Sequence, residues 1–264
     1  MDRHLINRQL CISRTARLLV LLWLLPGWAG GQAGGAARET KPAPALLFNI
    51  SYAYQVPGGD LADRFGPGFS LGSGLEYLSR NNWIAGINGQ FFFGSQVETD
   101  VLAGLRTPEG FIYGNDKSIA DIQLRQRGFH IGGLVGRLIP LSRNNPRSGL
   151  RLTLGGGLLQ HRIRIQEDPI SNVPQLSGDY RKGYDRLSSG FSLQQFIGYQ
   201  LLSPDGLINF FAGFELTQAF TENRRAFQYD TRQVDTDKRT DLLFGLRVGW
   251  ILPFYLRKAD EIYY

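Results

Sequence analysis

Three sets of side chains in this sequence have types and spacings that could do chemistry. Glu215 and Arg247 each stand eight residues from the end of an alternating segment, counted from Leu207 and back from Tyr255, and both fall on its polar parity. Opposite charges at matched heights on adjacent strands can form a buried ion pair, each relieving the other's desolvation. The plain reading of that pair is structural; a gate or proton relay is the alternative. Arg125 and Arg127 meet Arg162 and Arg164 across a turn near Asn145 and Pro146, all on one face. Guanidinium forks suit phosphate oxygens, and lipopolysaccharide phosphate is the matching ligand. The alternative is a solvated face of strands that project past an apolar belt.

On the other face of the same hairpin, a turn centred between Asn145 and Pro146 predicts His130 and His161 as a cross-strand pair. Transition metals usually need three or four ligands, and no third is placed here, so the imidazoles read as rim groups bonded to water or backbone. A nucleophilic reading would join either histidine to Ser188, Ser189 or Ser192 and an acidic residue. None of these serines sits in a Gly-x-Ser-x-Gly elbow, and no phosphate-cradling loop or zinc spacing accompanies them. No catalytic residue, cofactor or metal is therefore expected.

The elements that must position these groups show in the periodicity. From Leu207 to Phe220, Ile208, Phe210, Ala212, Phe214, Leu216 and Phe220 share one parity, while Asn209, Gly213, Glu215 and Thr217 share the other. A soluble strand is about 5 to 6 residues long, so this longer run, apolar on one side, suits a tilted bilayer crossing. Eight such segments are predicted, near 46–56, 67–78, 83–94, 122–141, 150–165, 188–202, 207–221 and 239–255. The fourth and fifth alternate less cleanly than the rest.

Connections alternate too. Those near 78–82, 142–149 and 203–206 are short and rich in Ser, Asn, Pro and Gly, whereas 57–66, 95–121, 166–187 and 222–238 are mostly long and charged. This is the pattern of an all-β, eight-stranded antiparallel up-and-down transmembrane β-barrel with periplasmic turns and outer loops. With strand direction set by the loops, Phe48, Tyr77, Trp83, Tyr199, Phe210, Trp250 and Phe254 fall at the turn-side height. Tyr54, Phe69, Phe91, Phe93, Phe129, Phe191 and Phe220 fall at the loop-side height. Two aromatic girdles are the expectation. The interior of so small a barrel holds side chains or one small ligand, which argues against a general diffusion pore.

Arg3, Arg8, Arg14 and Arg17 precede an apolar stretch from Leu18 to Leu25, and small residues follow around Ala29 to Ala37. This predicts a cleaved signal peptide over 1–31, a flexible periplasmic leader over 32–45, the barrel over 46–255 and a periplasmic tail over 256–264. Cleavage removes Cys11, the single cysteine, and a net +3 of the chain's +6, so neither disulfides nor nucleic acid is implied.

From about Leu46 to Tyr255 the chain resembles the small outer-membrane β-barrels of the OmpA/OmpX-like type, a porin-like group of Gram-negative cell envelopes, and is most similar to uncharacterised members. Gly245, Val248 and Trp250 are spaced as in the assembly signal of final barrel strands, although a tail from Arg257 to Tyr264 departs from that pattern. The resemblance implies contact with outer-membrane lipid, lipopolysaccharide and the barrel assembly machinery. The expected role is structural or binding, with a protein partner at the outer loops and service to a transport or secretion assembly; the alternative is a lipid-modifying enzyme.

Overall fold

The computed structural model describes residues 43–115, 117–167, 173–203 and 208–256. The expected signal peptide, most of the leader and the tail from Arg257 to Tyr264 lie outside them. Among the described residues the chain forms eight strands: β1 Ala45–Gly59, β2 Gly68–Leu78, β3 Trp83–Gly94, β4 Ile122–Pro140, β5 Gly149–Glu167, β6 Ser188–Leu202, β7 Asn209–Asn223 and β8 Lys238–Tyr255. Each pairs antiparallel with its neighbour in sequence, and β1 pairs with β8 from Ala45↔Tyr255 to Gly59↔Asp241. The sheet is a closed barrel with no free edge.

Burial follows the alternation of the sequence inside out. On β1, Asn49, Ser51 and Gln55 are buried, while Phe48, Ile50, Tyr52 and Tyr54 are exposed on the outer wall. Phe214 is 69% exposed and its neighbour Glu215 only 3%. The polar parity thus faces inward and the apolar parity outward, the reverse of a soluble sandwich. Outer-wall aromatics run across strands: Tyr54 opposite Phe69, Phe69 opposite Phe93, Phe91 opposite Phe129, Phe191 opposite Phe220, and at the other end Phe210 opposite Trp250.

β4 and β5, the least regular in sequence, are the longest at 19 residues each. Their inner faces carry Gly132, Gly136, Gly155 and Gly157 between larger groups, which blurs the polar and apolar rhythm. Glycine is required where strands come closest. A Cβ on Gly198 would lie 2.3 Å from the Ala212 carbonyl oxygen, and one on its ladder partner Gly213 would lie 2.3 Å from that of Ile197. The Phe196 ring occupies the room those side chains would take.

The barrel is filled at both ends. Near the termini, Leu47, Leu78, Leu138, Leu202 and Ile251 pack with Phe196 and Phe211, whose rings meet edge to face at 5.5 Å. At the loop end, Leu61, Phe65, Val101, Leu102 and Leu176 come down from the loops onto Leu159, Ile163 and Leu243 of the strands. The long charged loops therefore have an apolar underside, which their composition hides.

Two registers differ from expectation by two residues. The β4–β5 hairpin pairs Pro140 with Gly149, so His130 faces Leu159 and His161 faces Gly128. The predicted histidine pair is thereby corrected: the turn is centred one residue earlier than Asn145–Pro146. On β7–β8, Arg247 lies opposite Gly213 and Glu215 opposite Gly245.

Candidate functional site

The lumen is a stack of polar layers. Nearest the termini, Arg151 Nη2 donates to Glu76 Oε1 at 2.6 Å, Asn49 Nδ2 donates to the same oxygen at 2.9 Å, and Arg151 Nη1 reaches Gln200 Oε1 at 3.0 Å. The Arg151 guanidinium also lies 4.8 Å from the Phe211 ring centroid, so its face is covered as well as its edge. In the middle layer Arg247 Nη1 stands 2.5 Å from Glu215 Oε2 despite the register offset, because the arginine is long enough to reach diagonally. From β3 across the lumen, Gln90 Nε2 donates to both oxygens of Glu215 at 3.2 and 3.4 Å. Asn88 Nδ2 donates to Gln194 Oε1 at 2.6 Å. Each buried charge thus has a partner from another strand, as burial demands.

The layer beneath the loops centres on Asp241. His161 Nε2 lies 2.8 Å from Asp241 Oδ2, Thr221 Oγ1 donates to that oxygen at 2.6 Å, and the Phe65 ring meets the imidazole edge to face. Above it Arg64, from the loop between β1 and β2, donates to Ser188 Oγ at 2.9 Å and lies 3.7 Å from Asp235. Burial first, then the neighbouring Arg239 and Arg186, push the Arg64 guanidinium down to about 10. The Asp235 carboxyl is raised by burial, but the hydrogen bond from Arg239, the Asp237 backbone N–H, the charge of Arg239 and Gln228 outweigh this and hold it below its usual value.

Ser188 faces His161 directly in the β5–β6 ladder, and His161 meets Asp241, so three residue types of an acyl-transfer site adjoin one another. They do not form a relay. Ser188 Oγ accepts from Arg64 and donates to the Arg186 carbonyl, while His161 Nδ1 has no hydrogen-bond partner among the described residues. Ser192 is also buried on the inner face, and Ser189 accepts from Arg224 Nε outside it. Among the described residues no three His, Cys, Asp or Glu converge as a metal site.

Outside, the ladder sets Arg125 opposite Arg164 and Arg127 opposite Arg162. Arg162 and Arg164 are exposed, and the other two half-buried. Arg127 Nη1 bonds the Gln126 carbonyl at 2.6 Å and Arg125 Nη2 bonds Gln123 Oε1 at 2.5 Å.

No family model matches the chain, and no curated protein matches it. Among solved structures it is similar to Neisserial surface protein A, with 11% identity over 80% of this chain and 99% of that one and a TM-score of 0.41. Ail, the attachment invasion locus protein of Yersinia pestis, matches with 14% identity over 80% and 99% at 0.35; the outer membrane protein OprG of Pseudomonas aeruginosa matches with 10% over 82% and 98% at 0.36.

At the loop end the segments 173–187 and 222–238 form one surface. Tyr229 donates its N–H to the Gly183 carbonyl at 2.9 Å, Arg225 pairs with Asp185 at 2.5 Å, and Arg186 pairs with Asp230. Tyr229 packs edge to face on Tyr184 at 5.5 Å and touches Tyr180 and Phe227, leaving Tyr180 well exposed. Neither the joining of these loops nor the partners Glu76–Arg151 and His161–Asp241 was foreseen. Glu76 and Asp241 lie on the inward parity of their strands, but Arg151 and His161 sit on strands that are not their sequence neighbours.

Proposed function

We propose that the protein spans the outer membrane as an integral barrel, exported by a cleaved signal peptide, and serves as a structural or binding component of the cell envelope. Its joined outer loops are the face that engages a protein partner, and a transport or secretion assembly is the kind of complex it serves. One observation carries the membrane reading: a ring closed on itself exposes Ile87, Phe214 and Trp250 outward while burying Glu76, Glu215 and Arg247 inward. A continuous apolar belt of this kind is stable only against hydrocarbon. A lumen crossed by hydrogen-bonded side chains and packed at both ends favours binding over conduction.

A second reading, a lipid-modifying enzyme, draws on the adjacency of Ser188, His161 and Asp241. It is weaker, because the hydroxyl faces the lumen beneath the loops while lipid lies outside the wall. Mass spectrometry of lipopolysaccharide from cells with and without the protein separates the two, since only the enzyme alters the lipid. For the main reading, the chain in detergent should run faster unheated than heated on a gel. Co-purification from mild detergent should retain a partner that is lost on shortening 173–187 and 224–237 together. A chain soluble without detergent overturns the membrane reading, and retention of the partner without the loops overturns the binding face.

A further inference from the structure

We propose that the outer wall of the β4–β5 hairpin is a docking site for the phosphates of a phosphorylated, multiply acylated glycolipid in the outer leaflet. This deepens the membrane reading and rests on it. Arg125 faces Arg164 and Arg127 faces Arg162, so four guanidinium groups crowd one face of two adjacent strands. Like charges placed opposite one another destabilise a sheet. Several arginines of the loops are matched: Arg64 and Arg239 with Asp235, Arg225 with Asp185, Arg186 with Asp230, whereas Arg224 bonds Ser189. Among the described residues, none of the four wall arginines forms an ion pair with a carboxylate. An anion held between the two arginine pairs would turn that repulsion into attraction, and guanidinium forks bind phosphate through two parallel hydrogen bonds.

The shape beside the charges selects the kind of anion. A groove of about 350 Å³ is lined by Arg127, Arg162, Arg164 and Gln160 together with Phe91 and Phe129. Those two rings pair across β3 and β4 on the outer wall, on the membrane side of the arginines. Apolar rings below and cations above reproduce the order of acyl chain and phosphate in a leaflet. A second groove, of about 490 Å³, shares Arg162 and Arg164 and continues to Arg181 and Lys182. Those two cations already pair with Glu167 and Asp179, so the four wall arginines carry the selectivity.

The test uses the full mature chain in nanodiscs and three probes: bisphosphorylated lipid A, dephosphorylated lipid A and inorganic phosphate. The phosphorylated lipid should bind at least about 10-fold more tightly than the dephosphorylated one, the scale of one charge-assisted hydrogen bond. Changing all four residues, Arg125→Gln, Arg127→Gln, Arg162→Gln and Arg164→Gln, should weaken it by about 100-fold. The exposed double variant Arg162→Gln/Arg164→Gln guards against misfolding of the quadruple one and should lose about 10-fold. Unheated gel mobility verifies that each variant is a closed barrel. Equal binding of the dephosphorylated lipid, or unchanged binding in the double variant, overturns the proposal. Competition by inorganic phosphate at equal concentration reassigns the site to a free anion and also overturns it. Failure of the unsubstituted chain to close overturns the membrane reading instead.

Discussion

Replacing Glu215 by glutamine tests whether the luminal charges hold the barrel together. The side chain of Glu215 is 1% exposed and that of Arg247 is 9% exposed, so the substitution strands a guanidinium charge in the interior. Removing one partner of a buried pair costs about 3–5 kcal/mol. Glutamine keeps an oxygen for Arg247 and an amide beside Gln90, which places the expected loss at the lower end, about 3 kcal/mol. Removing both charges with Glu215→Gln/Arg247→Met should cost only about 1–1.5 kcal/mol, because no unpaired charge remains and the volume is nearly kept. The single and double variants should therefore differ by about 2 kcal/mol in favour of the double. Urea titration in lipid vesicles measures this. Trp83 and Trp250 report it by fluorescence, being outward-facing and the last two tryptophans in the sequence. Glu215→Gln unfolding at the same urea concentration as the parent, or a double variant weaker than the single, would refute the reasoning.

Arg151→Met should be more damaging than a surface arginine change, by about 3 kcal/mol, because among the described residues Glu76 would keep only the hydrogen bond from Asn49; the same urea titration measures it. Gly198→Val should lower the fraction of fast-running unheated barrel, since its Cβ would press on the Ala212 carbonyl; overpacking of this kind costs about 1–3 kcal/mol. Asp235 links pH to the loops. Its folded pKa lies below the ordinary 3.8, so it stabilises the folded loops at neutral pH, and that contribution is lost as pH falls below about 4 through the folded value. A fluorophore on Val234→Cys, an exposed loop position, should gain mobility below that pH, and Asp235→Asn should show the mobility already at pH 7.

Much of the fold was legible because a barrel wall imposes a period of two on every strand. The strands β1, β2, β3, β7 and β8 alternate strictly enough for Phe48, Glu76, Asn88, Glu215 and Arg247 to be assigned to the wall or the lumen, and the structure places each on that side. β4 and β5 read less clearly because inward glycines carry no polarity to count. Register was harder than parity. A slip of two residues leaves every side chain on its own face, so nothing in the alternation corrects a turn centre misplaced by one residue. His130 and His161 were paired for that reason, and Glu215 and Arg247 meet only because arginine is long.

The sequence by itself determined which residues face outward and which face the interior, and how many strands there are, because parity and turn chemistry are local. It also placed four arginines on one face, since both pairs lie on the same hairpin. Only the closed tertiary structure decided that Gln90 on β3 reaches Glu215 on β7, that Glu76 on β2 meets Arg151 on β5, and that Asp241 serves His161. Those contacts cross the lumen between strands distant in sequence, and the distance that joins them is the barrel's width, which exists only once β1 has paired with β8.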